Sequence, residues 1–236
     1  MSNGLFVIGT DTDVGKTFVT AGITYVLRKN NYNACSFKPV QSGGILRDEK
    51  LLPGDVEFVK NVTQINENYG VMNSYCFKAA VSPHLAAEME NISISKNKIL
   101  EDYKKLKEKY DYVVVEGAGG TIVPLIRNKY YIYDLIKDLD IPVVIVAGSG
   151  IGTINHTALT VNFIKSKGIE IKGLIINGHN NSFYEDDNIE VIRNITGLEI
   201  VSVINKVNTS LNGDLILNVK NEYEKSLKIE KILDLF

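Results

Sequence analysis

Four short apolar runs, over residues 5–8, 112–115, 143–146 and 174–176, stand out along an otherwise mixed chain. They are dense in Val, Ile and Leu, and apolar positions do not alternate with polar ones. That is the pattern of strands buried on both faces of a parallel sheet. Weaker runs over 34–37 and 200–204 predict two more strands. Between the runs, apolar residues recur at helical spacing. Helices are predicted over 17–29, 95–110, 133–139, 153–167 and 187–196, the fourth carrying Ile154, Ala158, Leu159, Val161 and Ile164. Strand alternating with helix predicts an α/β fold: a doubly wound, mostly parallel sheet with helices on both faces.

Residues 40–75 do not fit the alternation. Segment 41–54 is loop-like, Pro53-Gly54 signals a turn, and 55–60 reads as a short helix. Such an insertion is expected over the carboxyl ends of the strands, where ligands of α/β proteins bind. No repeat, linker or domain boundary is visible, so 1–236 reads as a single domain. From Asn205 onward the chain is polar and gives no clear pattern.

Composition narrows the function classes. Of the 236 residues 44% are hydrophobic and 23% charged, which is ordinary for a globular chain. A net charge of −2 gives no broad attraction to nucleic acid or anionic membrane, so neither is expected as a partner. No apolar run approaches the ~20 residues of a membrane helix. The first apolar stretch lacks a basic leader and is soon followed by Asp11 and Asp13, which reads against a secretory signal. Cys35 and Cys76 have no metal-like spacing. Two unpaired thiols in a reduced, cytoplasmic protein are the expectation.

Residues 9–17, GTDTDVGKT, carry the strongest chemical signal. They follow the first apolar run and precede a predicted helix. A Gly-rich loop in that place, ending Gly-Lys-Thr, is a phosphate cradle. Its N–H groups and the positive helix terminus face the phosphates, the lysine reaches the β/γ-phosphates and the hydroxyl ligates Mg²⁺. Five residues separate Gly9 from Gly15, where the usual motif has four.

Three other sites bear on the reaction. Lys38, in SFKPVQSG, ends the second predicted strand. It is either a surface lysine before a turn or a second positive charge at the phosphate site, tolerable there if an anion accompanies it. Glu116, in VVVEGAGG, follows a buried strand where a phosphate-loop enzyme places a further metal contact. It reads as a ligand for Mg²⁺ or as a structural hydrogen-bond acceptor. Asp55 reads as the N-cap of 55–60 or as another oxygen ligand of the same ion. His84 and His156 lack ligand spacing and read as packing or hydrogen-bonding residues.

Taken together, GTDTDVGKT, FKPVQSG, Asp55 at its offset, VSPHLAA, VVVEGAGG and GIGTINHT resemble dethiobiotin synthetase, a phosphate-loop NTPase of biotin synthesis, in order and spacing from residue 5 to about 177. The resemblance implies an ATP- and Mg²⁺-dependent ligase acting on 7,8-diaminopelargonic acid and CO₂ drawn from bicarbonate. A carbamate forms, takes the γ-phosphoryl group as a carbamic–phosphoric anhydride, and closes to the cyclic urea with release of ADP and phosphate. It implies Lys38 and Lys16 as catalytic residues and Thr17, Asp55 and Glu116 as metal ligands. It implies nucleotide contacts from Asp13, Val14, Gly15, Lys16, Thr17 and Phe18, from Asp55, from Glu116, Gly117, Ala118 and Gly119, and from Asn177, Gly178 and Asn205. Thr12, Ser42 and Gly119 would face the substrate's reacting end. Gly152, Thr153, Ile154 and Asn155 would receive its carboxylate from the neighbouring subunit of a homodimer, at a helix start that would also suit a cap.

The chain departs from the family in two places. Asp13 stands where Glu is frequent, and Ser202-Val203-Ile204-Asn205 stands where Gly-x-Ile-Pro is frequent, beside the base. The competing reading is an ATPase switch or scaffold of the partitioning type. That class would want a basic amphipathic C-terminal helix, which is not visible. An amidating relative would need a further glutaminase domain, for which the chain is too short.

Overall fold

The computed structural model describes residues 3–207 and 215–236. In chain order the elements are β1 (Asn3–Gly9), α1 (Lys16–Lys29), β2 (Ala34–Gln41), β3 (Ile45–Arg47), β4 (Lys50–Leu52), α2 (Gly54–Thr63), α3 (Tyr69–Met72), β5 (Asn73–Cys76), α4 (Pro83–Met89), α5 (Lys96–Lys109) and β6 (Tyr112–Glu116). There follow β7 (Pro124–Ile126), β8 (Tyr130–Tyr131), α6 (Ile132–Leu139), β9 (Val143–Ala147), α7 (Thr153–Ser166), β10 (Ile171–His179), α8 (Phe183–Thr196), β11 (Ile200–Asn205), α9 (Leu215–Ser226) and α10 (Ile229–Leu233).

Seven strands form one parallel sheet in the order β11-β10-β9-β1-β6-β2-β5. All four apolar runs fall inside it. β9 is buried along its whole length, and β1 and β6 along all but their first residue. After β1 the chain builds β2, β5 and β6 on one side, then crosses to build β9, β10 and β11 on the other. Beside β1 the direction of winding reverses, and the carboxyl ends of the strands part there into a crevice. The loop after β1 opens into that crevice.

Residues 40–75 hold more regular structure than the apolar pattern predicts. Segment 41–54, expected as loop, contains the β3–β4 hairpin, and Asn73–Cys76 adds an edge strand beside β2. Neither is a buried apolar run: β3 is only three residues long and fully exposed, and three residues of β5 are only half-buried. The polar C-terminal segment forms α9 and α10. Tyr223 of α9 is buried against Phe18, with ring centroids 4.7 Å apart, and donates its hydroxyl to the Phe18 carbonyl at 2.7 Å. Helix α9 thereby packs over the start of α1.

Candidate active site

Helix α1 begins at Gly15, whose φ of +94° is the left-handed region that glycine adopts without a Cβ clash. No side chain caps this end of the helix. Its first N–H groups are left for an anion. A Cβ on Gly15 would lie 2.0 Å from Asn177 Nδ2. Asn177, near the end of β10, donates that nitrogen to the Val14 carbonyl at 3.0 Å. Asp13 also has a positive φ, of 60°. The lysine that follows is buried, and its Nζ donates to the Asp11 carbonyl at 2.8 Å. Burial, and next the charge of Lys38, lower the Lys16 pKa to about 8, against opposing pulls from Glu116, Asp13 and Asp55.

Across the cleft, β2 and β6 end side by side. Lys38 Nζ lies 2.6 Å from Glu116 Oε1 and 2.7 Å from Asp55 Oδ2, and donates to the Gly117 carbonyl at 3.0 Å. Thr17 donates its hydroxyl to the same Glu116 oxygen at 2.7 Å. Lys38 and Glu116 are 5% and 2% exposed, so the ion pair sits out of bulk water. Burial alone would lower the Lys38 pKa, but the charges and hydrogen bonds of Glu116 and Asp55 outweigh it and hold Lys38 above the ordinary lysine range. Burial pushes Glu116 above the ordinary carboxylate range, opposed by Lys38 and reinforced by Asp55. A second lysine beside Lys16 is thus tolerated because two carboxylates neutralise it.

Asp55 is not the helix cap that one sequence reading allows. Pro53 takes that position in α2, and Asp55 lies in the first turn with its carboxylate on Lys38. The Gln41 side chain accepts the Asp55 backbone N–H at 3.2 Å and ties the turn to β2. His84 keeps a buried Nδ1 without a partner, whereas His156 is exposed rather than packed.

Lys16, Thr17, Lys38, Asp55 and Glu116 line one cleft of about 910 Å³, together with Thr12, Ser42 and Gly119. Gly119 has φ +63°, and a Cβ there would come within 3.7 Å of Thr12 Oγ1. Val81, Ser82 and Pro83, from the VSPHLAA motif, also line it, with Phe58, Ala80 and Val123, which sequence reasoning did not single out. A second cavity of about 260 Å³ shares Phe18 and Phe58 with the cleft and brings together Asn177, Gly178 and Asn205. Phosphate-side and base-side candidates therefore converge. Gly152, Thr153, Ile154 and Asn155 do not line the cleft of their own chain. α7 starts on Gly152 at φ +89°, again without a side-chain cap, so neither Thr153 nor Asn155 is one. Thr153 instead donates its hydroxyl to the Gly148 carbonyl at 2.6 Å. Ile151, at the tip of that loop, is 98% exposed.

The loop is fixed from below. Glu185 accepts from the hydroxyls of Ser149 and Ser182, at 2.7 and 2.8 Å, and from Asn180 N–H at 3.0 Å. Burial pushes its carboxyl up, yet these donors hold it down to about 2. Asn188 donates to the Ser149 carbonyl at 2.9 Å. In sequence these residues look like ordinary helix polar positions, so no signal marks them.

A phosphate loop between the first strand and first helix, with a buried Lys–Glu pair across a parallel sheet, defines a P-loop NTPase-like α/β protein. A family model described as an AAA domain matches residues 3–212. The solved structures this chain is similar to include a ParA family ATPase from Chlorobium tepidum (TM-score 0.60, 14% identity, 99% of this chain and 97% of that one). At that identity the likeness shows the fold alone. Sequence narrows the class further. The chain is 45% identical over 237 residues to the ATP-dependent dethiobiotin synthetase BioD of Clostridium novyi, covering 99% of each chain. It is 44% identical to that of Clostridium kluyveri, over 99% of this chain and 98% of the relative. The chain belongs to the dethiobiotin synthetase family.

Proposed function

We propose that this chain is an ATP-dependent dethiobiotin synthetase, joining 7,8-diaminopelargonic acid and CO₂ into the cyclic urea dethiobiotin at the expense of ATP. One observation carries the reading: a buried lysine, held between two carboxylates, faces the phosphate loop across one cleft in a chain of this family.

The chemistry follows from charge. One substrate amine adds to CO₂ and, losing a proton, becomes a carbamate. A carbamate oxygen attacks the γ-phosphorus, and the bond to the β-bridging oxygen breaks to release ADP. The second amine attacks the carbamoyl carbon of the mixed anhydride, phosphate leaves, and the ring closes. The difficult moment is the approach of two anions. Lys16 holds the β- and γ-phosphates from the loop. Lys38 sits opposite, so its ammonium neutralises the carbamate oxygen and the migrating phosphoryl group. The uncapped start of α1 supplies N–H donors to the phosphates. Thr12, Ser42 and Gly119 orient the diamine.

Thr17, Asp55 and Glu116 form an all-oxygen donor set of the kind hard Mg²⁺ takes, and the Lys38 ammonium already occupies cationic space against both carboxylates. When bound, Mg²⁺ would offset the charge of the β- and γ-phosphates.

The substrate's own carboxylate is read at the start of α7 of a second copy. Two observations support a homodimer joined there: Ile151 is fully exposed, with Leu159 at 62%, and residues 152–155 miss their own cleft. The chain works as one domain. The two free cysteines suit a cytoplasmic setting.

Purified protein given diamine, bicarbonate and MgATP should yield a product of dethiobiotin's mass, and ATP turnover should require both the diamine and bicarbonate. Equal ATP hydrolysis without the diamine would refute the reading.

A further inference from the structure

The smaller cavity is walled by the apolar surfaces of Phe18, Phe58, Val207 and Val219 and opens to two carboxamides, Asn177 and Asn205. A carboxamide is two-faced: its NH₂ donates and its carbonyl accepts, and the end that faces a ligand decides which ligands fit. Both carboxamides are oriented by the protein. Asn177 spends an NH₂ hydrogen on the Val14 carbonyl, 3.0 Å away. Asn205, at the end of β11, gives Nδ2 to Glu222 Oε1 at 3.1 Å. The same oxygen accepts the Asn205 backbone N–H at 2.8 Å and the Ser226 hydroxyl at 2.6 Å. A carboxylate only accepts, so Glu222 pairs with the NH₂ end of Asn205 and not with its carbonyl.

We propose that Glu222 of α9 is a positioning residue for base selection: by holding the NH₂ of Asn205, it leaves two carbonyl oxygens, those of Asn177 and Asn205, for the base. This rests on the nucleotide reading above. Two acceptors suit a base with an exocyclic amino group, as in adenine and cytosine. Guanine and uracil carry a keto oxygen at that position and would set oxygen against oxygen, leaving the two half-buried acceptors unpaired beneath the base. The chain thereby meets the base with the Asn205 side-chain carbonyl at its departure from the Gly-x-Ile-Pro pattern.

The test compares kcat/KM for ATP, CTP, GTP and UTP in dethiobiotin formation. The wild-type protein should prefer ATP over GTP and CTP over UTP by at least about tenfold, the worth of one oriented hydrogen bond. Glu222→Ala frees Asn205 to rotate, and the ATP:GTP ratio should fall about tenfold, with the loss in KM for ATP rather than in kcat. Glu222→Gln keeps an accepting oxygen and should restore most of the preference. Asn205→Ala should reproduce the loss, and adding it to Glu222→Ala should cost nothing more. An ATP:GTP ratio within twofold of wild type in Glu222→Ala overturns the inference, as do losses that multiply in the double variant. A wild-type protein that makes no dethiobiotin with any triphosphate overturns the proposed function instead. Comparing ATP with CTP shows whether the amino group alone or the size of the base also decides.

Discussion

Replacing Lys38 with Met removes one ammonium and keeps most of the side-chain volume. In the folded protein this removes the cation 2.6 Å from Glu116, which is 2% exposed and keeps the Thr17 hydroxyl, with Lys16 as the remaining nearby cation and Asp55 as an opposing charge. A buried unpaired carboxylate escapes its cost by taking up a proton. Carrying a carboxyl of ordinary pKa 4.5 as the neutral acid at pH 7 costs about 3.4 kcal/mol, at ~1.36 kcal/mol per pH unit. That sets the ceiling on the electrostatic loss at neutral pH and lies within the ~3–5 kcal/mol range for breaking a buried pair. The folded pKa of Glu116 is raised, so the folded state binds more protons than the unfolded state above pH 4.5. Stability of the variant is full below that pH and falls as pH rises. Urea unfolding of metal-free protein in EDTA should therefore show a deficit from wild type of up to about 3 kcal/mol at pH 7 that shrinks to under about 1 kcal/mol at pH 5. Turnover measured by product mass should drop about 10³-fold, close to 4 kcal/mol of transition-state stabilisation. ADP affinity, carried by the loop and Lys16, should stay within about threefold. A pH-independent deficit would refute the buried-pair argument, and turnover within tenfold of wild type would remove Lys38 from the chemistry.

Three further outcomes follow from the same geometry. Burial lowers the Lys16 pKa to about 8 and phosphate binding would favour its charged form, so the dissociation constant of ATP, measured calorimetrically, should rise about tenfold between pH 7 and 9; a flat profile would contradict it. Gly15→Ala places a Cβ on Asn177 at a positive φ and should abolish measurable ATP binding while lowering stability by about 1–3 kcal/mol in thermal melts; tight ATP binding by a folded variant would disprove the close contact. Ile151→Asp should shift the protein to monomer in sedimentation and raise KM for the diamine with ATP affinity intact, and a dimer of unchanged KM would move the interface elsewhere.

The sheet was legible because strands buried on both faces must be apolar throughout, and 5–8, 112–115, 143–146 and 174–176 are. The prediction for the second strand stopped at Phe37 because Lys38 and Pro39 end the apolar run. In the structure β2 continues to Gln41, leaving β6 after Phe37 and pairing instead with β5 through Lys38, Val40 and Gln41. Lys38 is polar at that point because it faces a site, and edge strand β5 needs no apolar face. Helix α9 escaped notice because few of its residues are buried, chiefly Val219 and Tyr223. Within the site, Lys16, Thr17 and Glu116 are legible as candidates because each ends a strand or starts a helix in a recognisable loop, and Lys38 because it interrupts an apolar run inside β2. Asp55 is ambiguous in sequence between cap and ligand, because nothing there shows that Pro53 takes the cap position. Glu222 and Glu185 were invisible because their partners, Asn205 and Ser149, are brought to them only by the fold.

The contact between Gly15 and Asn177 has a mechanical consequence. Val14 and Asn177 are 163 residues apart in sequence, yet one hydrogen bond joins them and leaves no room for a Cβ between. The spacing between the loop that would take phosphates and the pocket that would take a base is therefore set by the protein as a caliper's gap is set, before anything is bound. A nucleotide is measured by its length as well as by its two ends. Position 15 and position 177 are also coupled: a smaller residue at 177 would relieve the contact with a Cβ at 15 but not the strain of its positive φ, so glycine is held there twice over.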